Sequence, residues 1–152
     1  MHWRDEGETR AFAKKLAAHP GVSDAYIELQ GDLGAGKTSF VRHLLRSLGV
    51  EGRIKSPTYA VVEPYVLPSG SKRQLLNIWH FDFYRFNDPR EWEEAGFREL
   101  FASPGLKLAE WADKARGMLP QADLVIHLAV LDNDVRQAEA IAQTPKGREL
   151  LA

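Results

Sequence analysis

The 152-residue sequence contains no cysteine, no long apolar run and almost no net charge. The absence of cysteine excludes disulfide bonds, thiolate catalysis and cysteine-ligated zinc or iron–sulfur sites. The longest apolar stretch, Leu124 to Leu131, is too short to span a bilayer and is interrupted by His127. The 20 basic and 21 acidic residues give a formal charge of −1, which argues against nucleic-acid binding by bulk electrostatics.

The composition that remains is typical of a folded domain. Hydrophobic residues make up 44% of the chain and charged residues 27%, which is enough for one ordinary core and too balanced for disorder. Residues 1–6 include charged side chains and form no apolar segment, so we expect no secretory signal. We therefore predict one domain over residues 1–152, in a soluble cytoplasmic protein that does not contact membranes.

The first part of the chain alternates between helix and strand patterns. Thr9 is the predicted N-cap of a first helix, which Pro20 ends. Residues 25–30 are rich in strand formers, and an amphipathic helix is predicted from Lys37 to about Leu48, with Gly49 as its C-terminal cap.

The second part predicts the remainder of a sheet. Strands over 58–67 and 74–84 are joined by the hairpin loop 68–73, so part of the sheet is expected to be antiparallel. Asp88 should open a short helix. The other predicted elements are strands at 106–110 and 123–131, a turn at 132–134, a hairpin strand over 135–142 and a helix from Pro145.

Residues 31–38, Gly-Asp-Leu-Gly-Ala-Gly-Lys-Thr, fit the phosphate-binding P-loop pattern G-x-x-x-x-G-K-[ST]. Its glycines let successive backbone amides turn inward around an anion, and the positive end of the following helix faces the same anion. We expect Lys37 to reach the β- and γ-phosphates and the Thr38 hydroxyl to bind Mg²⁺. The sequence thus predicts an α/β, P-loop NTPase-like domain with a central mixed, mostly parallel sheet and helices on both faces. The other predicted phosphate-binding residues are Gly34, Ala35, Gly36 and Ser39.

A P-loop needs carboxylates to hold the metal and position water, and two acids end predicted strands. The period of two places His80 and Asp82 on one face of their strand and Phe81 on the other. Glu110 ends the strand over 106–110. Structural roles, a strand-end hydrogen bond for Asp82 and a helix-start acid for Glu110, stay open. The histidines show no metal-binding spacing, so His80 is interpreted as an orienting or packing residue rather than a zinc ligand.

Four segments occur in an order that resembles the TsaE family, the bacterial ATPases of tRNA threonylcarbamoyladenosine biosynthesis. They are residues 31–38, Ser-Pro-Thr-Tyr at 56–59, His-Phe-Asp-Phe-Tyr-Arg at 80–85, and Glu110-Trp111. The resemblance covers essentially the whole chain from Thr9 onward. It implies a cytoplasmic protein that binds ATP and Mg²⁺ and docks on the TsaB–TsaD complex, which threonylcarbamoylates the tRNA adenosine beside the anticodon. The implied role is to energise or reset that complex, with tRNA contacted only indirectly or weakly.

The resemblance also assigns roles to individual residues. Lys37 would bind phosphate and take part in catalysis, Thr38 and Glu110 would hold Mg²⁺, and Asp82 would be required for hydrolysis. Thr58 would sense the γ-phosphate from a switch segment. By approximate position alone, Glu6 and Arg136 match nucleotide contacts of the family.

Two other functions remain open from the residues alone. A P-loop small-molecule kinase would need an acceptor pocket and an arginine-rich lid, and no segment is rich enough in arginine to form one. A nucleotide-gated binding module would use the ATP state to change docking, with negligible turnover. The sequence lacks the Asn-Lys-x-Asp pattern of guanine recognition, so ATP is favoured over GTP.

Overall fold

The computed structural model describes residues 2–32, 34–55, 57, 61–69, 74–86, 90–91, 96–115 and 117–152. Short 3-10 turns at Pro20–Asp24, Ala112–Ala115 and Asp132–Asp134 link the main elements. The strands are β1 (His2–Trp3), β2 (Tyr26–Gln30), β3 (Val62–Ser69), β4 (Gln74–Asp82), β5 (Leu106–Glu110), β6 (Leu124–Val130) and β7 (Arg136–Ala142). The helices are α1 (Glu6–Ala17), α2 (Lys37–Leu48), α3 (Phe97–Ala102) and α4 (Pro145–Leu151).

The strands form one mixed sheet in the order β1-β7-β6-β2-β5-β4-β3. The central strands β6, β2, β5 and β4 run parallel to their neighbours in that group, whereas β3, β7 and β1 are added antiparallel at the two edges. The antiparallel β3–β4 and β6–β7 pairs confirm the two predicted hairpins. Parallel strands end at the same edge of a sheet, so β2, β4 and β5 bring their last residues together.

Helices cover both faces of this sheet, which confirms the predicted architecture. One face packs against α1 and α2 through buried side chains such as Leu16, Phe40 and Leu44. The other face packs against α3, where Phe97 meets Phe81 edge-on with the ring centroids 5.6 Å apart. Alternation along β4 therefore places His80 and Asp82 away from the aromatic cluster, as the period of two predicts.

The first helix begins earlier than predicted. Its N-cap is Asp5, whose carboxylate accepts a hydrogen bond from the Glu8 amide at 3.1 Å, and Thr9 is a buried residue inside the helix. The Glu8 carboxylate in turn accepts from the Arg4 amide at 2.7 Å. Such reciprocal contacts satisfy amides at the helix start. The prediction of Thr9 as N-cap was wrong. Asp and Thr both suit an N-cap position, but only Asp5 is followed three residues later by an acid, Glu8, that can complete the reciprocal contacts.

Several other boundaries agree with the sequence or differ by a few residues. Helix α2 ends at Leu48 and Gly49 caps it in the left-handed conformation with φ 109°, as predicted. Strand β4 ends at Asp82, two residues early, because the Tyr84 amide turns back to the Asp82 carboxylate at 2.9 Å. Strand β7 and the helix from Pro145 are confirmed. Strand β3 continues to Ser69, two residues into the predicted loop 68–73, because Pro68 and Ser69 still pair with Leu75 and Gln74 of β4. The rest of that loop and the helix predicted at Asp88 lie outside the described residues.

Replacing Gly147 with alanine should destabilise the protein by about 1–3 kcal/mol, the usual penalty for overpacking. Gly147 is buried on α4, and a Cβ there would lie 1.8 Å from the Asp123 carbonyl oxygen. Because that oxygen belongs to the backbone, α4 would have to move away from the sheet. Thermal denaturation checks this, with the exposed Gly7→Ala on α1 as control. An unchanged melting temperature for Gly147→Ala would contradict the expectation.

Candidate nucleotide site

The candidate site lies where the parallel strands end, in front of the start of α2. Strand register places Asp82 at the end of β4 directly beside Glu110 at the end of β5, and Leu29 of β2 lies on the other side of Glu110. The P-loop leaves β2 at the same edge and leads into α2. The topology thus brings two predicted carboxylates and the predicted phosphate loop together, although 72 residues separate Thr38 from Glu110.

The loop is curled by contacts that its glycines permit. Gly31 has φ 149°, and a Cβ there would lie 2.4 Å from the Leu128 carbonyl oxygen of β6. The Ala35 amide then donates to the Asp32 carbonyl at 3.0 Å. Gly36 precedes α2 without any side-chain cap, so the first amides of the helix are not capped by a neighbouring side chain. Uncapped amides at a helix start are suited to an anion.

Lys37 is buried beside this loop, with 5% of its surface exposed. Its Nζ donates to the Gly31 carbonyl and lies 3.6 Å from the centroid of the Trp111 ring, which adds a cation–π contact. Burial lowers the pKa of Lys37, and the nearby carboxylates of Glu110 and Asp82 oppose that shift without cancelling it. The ammonium is therefore poorly hydrated, and an anion bound in the loop would stabilise its charged form.

Thr38, Glu110 and His80 form a continuous hydrogen-bonded chain. The Thr38 hydroxyl donates to Oε1 of Glu110 at 2.9 Å, and Oε2 of Glu110 lies 2.6 Å from Nε2 of His80. Glu110 is 2% exposed and His80 is fully buried. The two oxygens of one buried carboxylate are thus fixed from opposite sides, and one of them is next to the hydroxyl predicted to bind Mg²⁺.

Arg136 completes the site from the far edge of the sheet. Its Nη1 donates to the Gly34 carbonyl at 3.2 Å, and its guanidinium lies against Gly36. A cavity of about 250 Å³ opens between these groups. It is lined by Gly34, Ala35, Gly36, Lys37, Thr38, Ser39, Asp82, Glu110, Trp111 and Arg136.

Two predicted nucleotide contacts are not among these residues. Glu6 lies at the start of α1, where its exposed carboxylate is 3.2 Å from Nε2 of His43 on α2. It does not line the cavity, so the role assigned to it stays a prediction. Thr58 lies outside the described residues.

Trp111 lines the cavity but was not predicted as a site residue. Its backbone has φ 58°, a left-handed conformation that bulky residues rarely adopt. That conformation places the indole ring against the Lys37 ammonium. The centroids of the Trp111 and Tyr84 rings are 5.0 Å apart. The available signal was its position directly after Glu110, at the strand end that carries the carboxylate. The left-handed backbone conformation of Trp111 cannot be predicted from its residue type, because bulky residues rarely adopt it.

Comparisons with known proteins identify the family of this chain. The sequence model of the family described as "Threonylcarbamoyl adenosine biosynthesis protein TsaE" matches residues 3–138 of the chain. The chain belongs to the TsaE family. The TsaE family takes part in tRNA threonylcarbamoyladenosine biosynthesis, and membership confirms the resemblance that the four ordered segments indicate.

Curated relatives and a solved structure support the TsaE assignment. The chain is 41% identical over 143 residues to the tRNA threonylcarbamoyladenosine biosynthesis protein TsaE of Haemophilus influenzae, covering 94% of this chain and 86% of that protein. Identity to the Bacillus subtilis protein of the same description is 35% over 139 residues, with 90% and 82% covered. The crystal structure of Bacillus subtilis YdiB superposes with a TM-score of 0.76 at 29% identity, covering 99% of this chain and 89% of that one.

The helices of this TsaE-family chain can be checked for membrane-spanning segments. Among the described residues, no helix has the length and apolar character needed to cross a membrane.

Proposed function

We propose that this chain is an ATPase that binds Mg²⁺ and ATP and acts in the cytoplasm in tRNA threonylcarbamoylation, by docking on the TsaB–TsaD complex and energising or resetting it. The observation that supports this most is the contact between the Thr38 hydroxyl and the Glu110 carboxylate at 2.9 Å, beside a buried lysine and a curled loop. A strand–helix turn without a ligand has no need to bury these three groups together.

The residues present fit a magnesium–nucleotide complex. Magnesium prefers hard oxygen donors and is commonly held by one or two carboxylates together with substrate phosphates. The site offers such donors in Thr38 and Glu110, which line one cavity. Among the described residues, no group of three or more acidic, histidine or cysteine side chains is placed to hold a metal alone. A metal that binds here would therefore need the phosphates as further ligands, and it would neutralise charge on them.

Each protein group then has a distinct task. Lys37 and the amides at the start of α2 would bind the phosphates, and Arg136 would add positive charge from the β7 side. Asp82 is 5% exposed at the end of β4, where its carboxylate would orient the attacking water. Hydrolysis without partners should be slow, because the water and the switch segment must both be ordered before reaction.

The test is ATP hydrolysis by the purified chain with and without purified TsaB–TsaD, measured as phosphate release in Mg²⁺. We expect the partner complex to raise turnover by about tenfold or more, which corresponds to roughly 1.4 kcal/mol of the activation barrier. Neither TsaB nor TsaD alone should match the pair. Equal rates in all mixtures, or phosphorylation of an added metabolite without any partner, would contradict the proposal.

A further inference from the structure

His80 is a buried histidine whose contacts point to a specific task. It lies on β4 two residues before Asp82, on the same face of the strand, and none of its surface is exposed. Its Nε2 is 2.6 Å from Oε2 of Glu110. Where Glu110 is ionised, as a magnesium ligand must be, its Oε2 accepts this hydrogen bond and Nε2 of His80 donates it.

The other ring nitrogen of His80, Nδ1, adds a free-energy cost to the folded protein. Within the described structure, Nδ1 of His80 is buried and has no hydrogen-bond partner. A buried polar atom left unpaired costs about 1–3 kcal/mol, and neighbouring positions on the same face, such as Ile78 and Leu108, are apolar. An apolar side chain would fill this space without that penalty. The imidazole is therefore better explained by what Nε2 does than by packing.

What Nε2 does is to fix the Glu110 carboxylate. A glutamate has three side-chain torsions, and its carboxylate at the end of a strand would otherwise adopt several orientations. With Oε2 held by His80, Oε1 is directed to the Thr38 hydroxyl at 2.9 Å. Groups that orient a metal-binding side chain in this way typically contribute about 10–100-fold to metal affinity.

We propose that His80 is a positioning residue, which holds the Glu110 carboxylate in the orientation that binds Mg²⁺ beside Thr38. This inference rests on the proposed function, since it assumes that Glu110 binds the metal of a magnesium–nucleotide complex. His80 itself lies behind Glu110 and does not line the cavity. Its effect should appear in the metal-dependent part of nucleotide binding and not in the part that the P-loop provides.

Two substitutions of similar size separate positioning from packing. The side-chain amide nitrogen of His80→Gln is as many bonds from Cα as Nε2 and can donate to Glu110. The amide of His80→Asn is one bond shorter and does not reach. His2→Asn, at an exposed histidine on β1, is the matched control. Each variant is titrated with a fluorescent ATP analogue, once in Mg²⁺ and once in EDTA, and its melting temperature is measured.

We expect His80→Asn to weaken analogue binding in Mg²⁺ by about 10–100-fold, to leave binding in EDTA unchanged, and to require more Mg²⁺ for saturation. His80→Gln should recover most of the loss. Equal weakening in Mg²⁺ and EDTA, in step with a lower melting temperature, would show a packing role and overturn the inference, as would wild-type binding by His80→Asn. If the wild-type chain itself binds no better in Mg²⁺ than in EDTA, the proposed function fails first and this inference with it.

Discussion

Lys37→Ala should weaken ATP binding by about 100-fold or more, since removing one partner of a buried charge interaction costs about 3–5 kcal/mol. The side chain is 5% exposed, and its ammonium donates to the loop at the Gly31 carbonyl. A phosphate in the loop would meet a cation that water screens poorly, so the attraction is strong. The measurement is the Kd for ATP in Mg²⁺, by calorimetry or by a fluorescent analogue.

The same variant should fold as well as the wild type. Burial lowers the pKa of Lys37, which means that the free protein gains little from holding this charge inside. The melting temperature is therefore expected to stay constant or to rise slightly, while nucleotide affinity collapses. Lys15→Ala, at an exposed lysine on α1, is the matched control and should alter neither quantity. Wild-type affinity in Lys37→Ala would remove the central argument for a nucleotide site.

Local patterns predicted where the central residues of this candidate site lie in the fold. The glycines and Lys-Thr of residues 31–38 lie between a predicted strand and an amphipathic helix. All of these features fall within residues 25–48, so they can be recognised from one short segment of the sequence. The alternation along β4 likewise assigned Asp82 to the site face and Phe81 to the core, as the structure confirms. Both signals are short-range, because each depends on the period of one element.

Features that depend on the pairing of distant strands were harder to predict. Arg136 was matched by approximate position alone. Its place beside Gly34 depends on β6 lying next to β2, which leads into the P-loop, and on the β6–β7 register, which sets Arg136 opposite Val130. The two-residue strand β1, which pairs Trp3 with Arg136, is too short to show any period. Trp3 also stacks on Phe40 of α2 with the ring centroids 5.9 Å apart, so this edge is tied to the helix that begins at the P-loop.

Glu110→Gln should reduce Mg²⁺-dependent ATP turnover by about 100-fold or more, which corresponds to the loss of roughly 3 kcal/mol of transition-state stabilisation. Glutamine has nearly the same shape, and its amide oxygen can accept from Nε2 of His80 while its NH2 group donates to the Thr38 hydroxyl, so the fold and the loop should persist. What it lacks is the negative charge that a divalent cation requires of its ligand. Nucleotide binding in EDTA is therefore expected to remain at the wild-type level.

The melting temperature of Glu110→Gln gives a second test, because it depends on the surroundings of the Glu110 carboxylate. Glu110 is 2% exposed, its hydrogen-bond partners are Thr38 and His80, and the Lys37 ammonium lies near enough to interact with its charge. Glutamine keeps both hydrogen bonds, so the substitution removes a charge without leaving a buried polar atom unpaired. We accordingly expect Glu110→Gln to keep the melting temperature of the free chain close to the wild-type value while it reduces turnover by about 100-fold or more. Glu139→Gln, at an exposed position on β7, should change neither. Full turnover in Glu110→Gln, or a large fall in its melting temperature, would mean that this carboxylate serves the fold and not the metal.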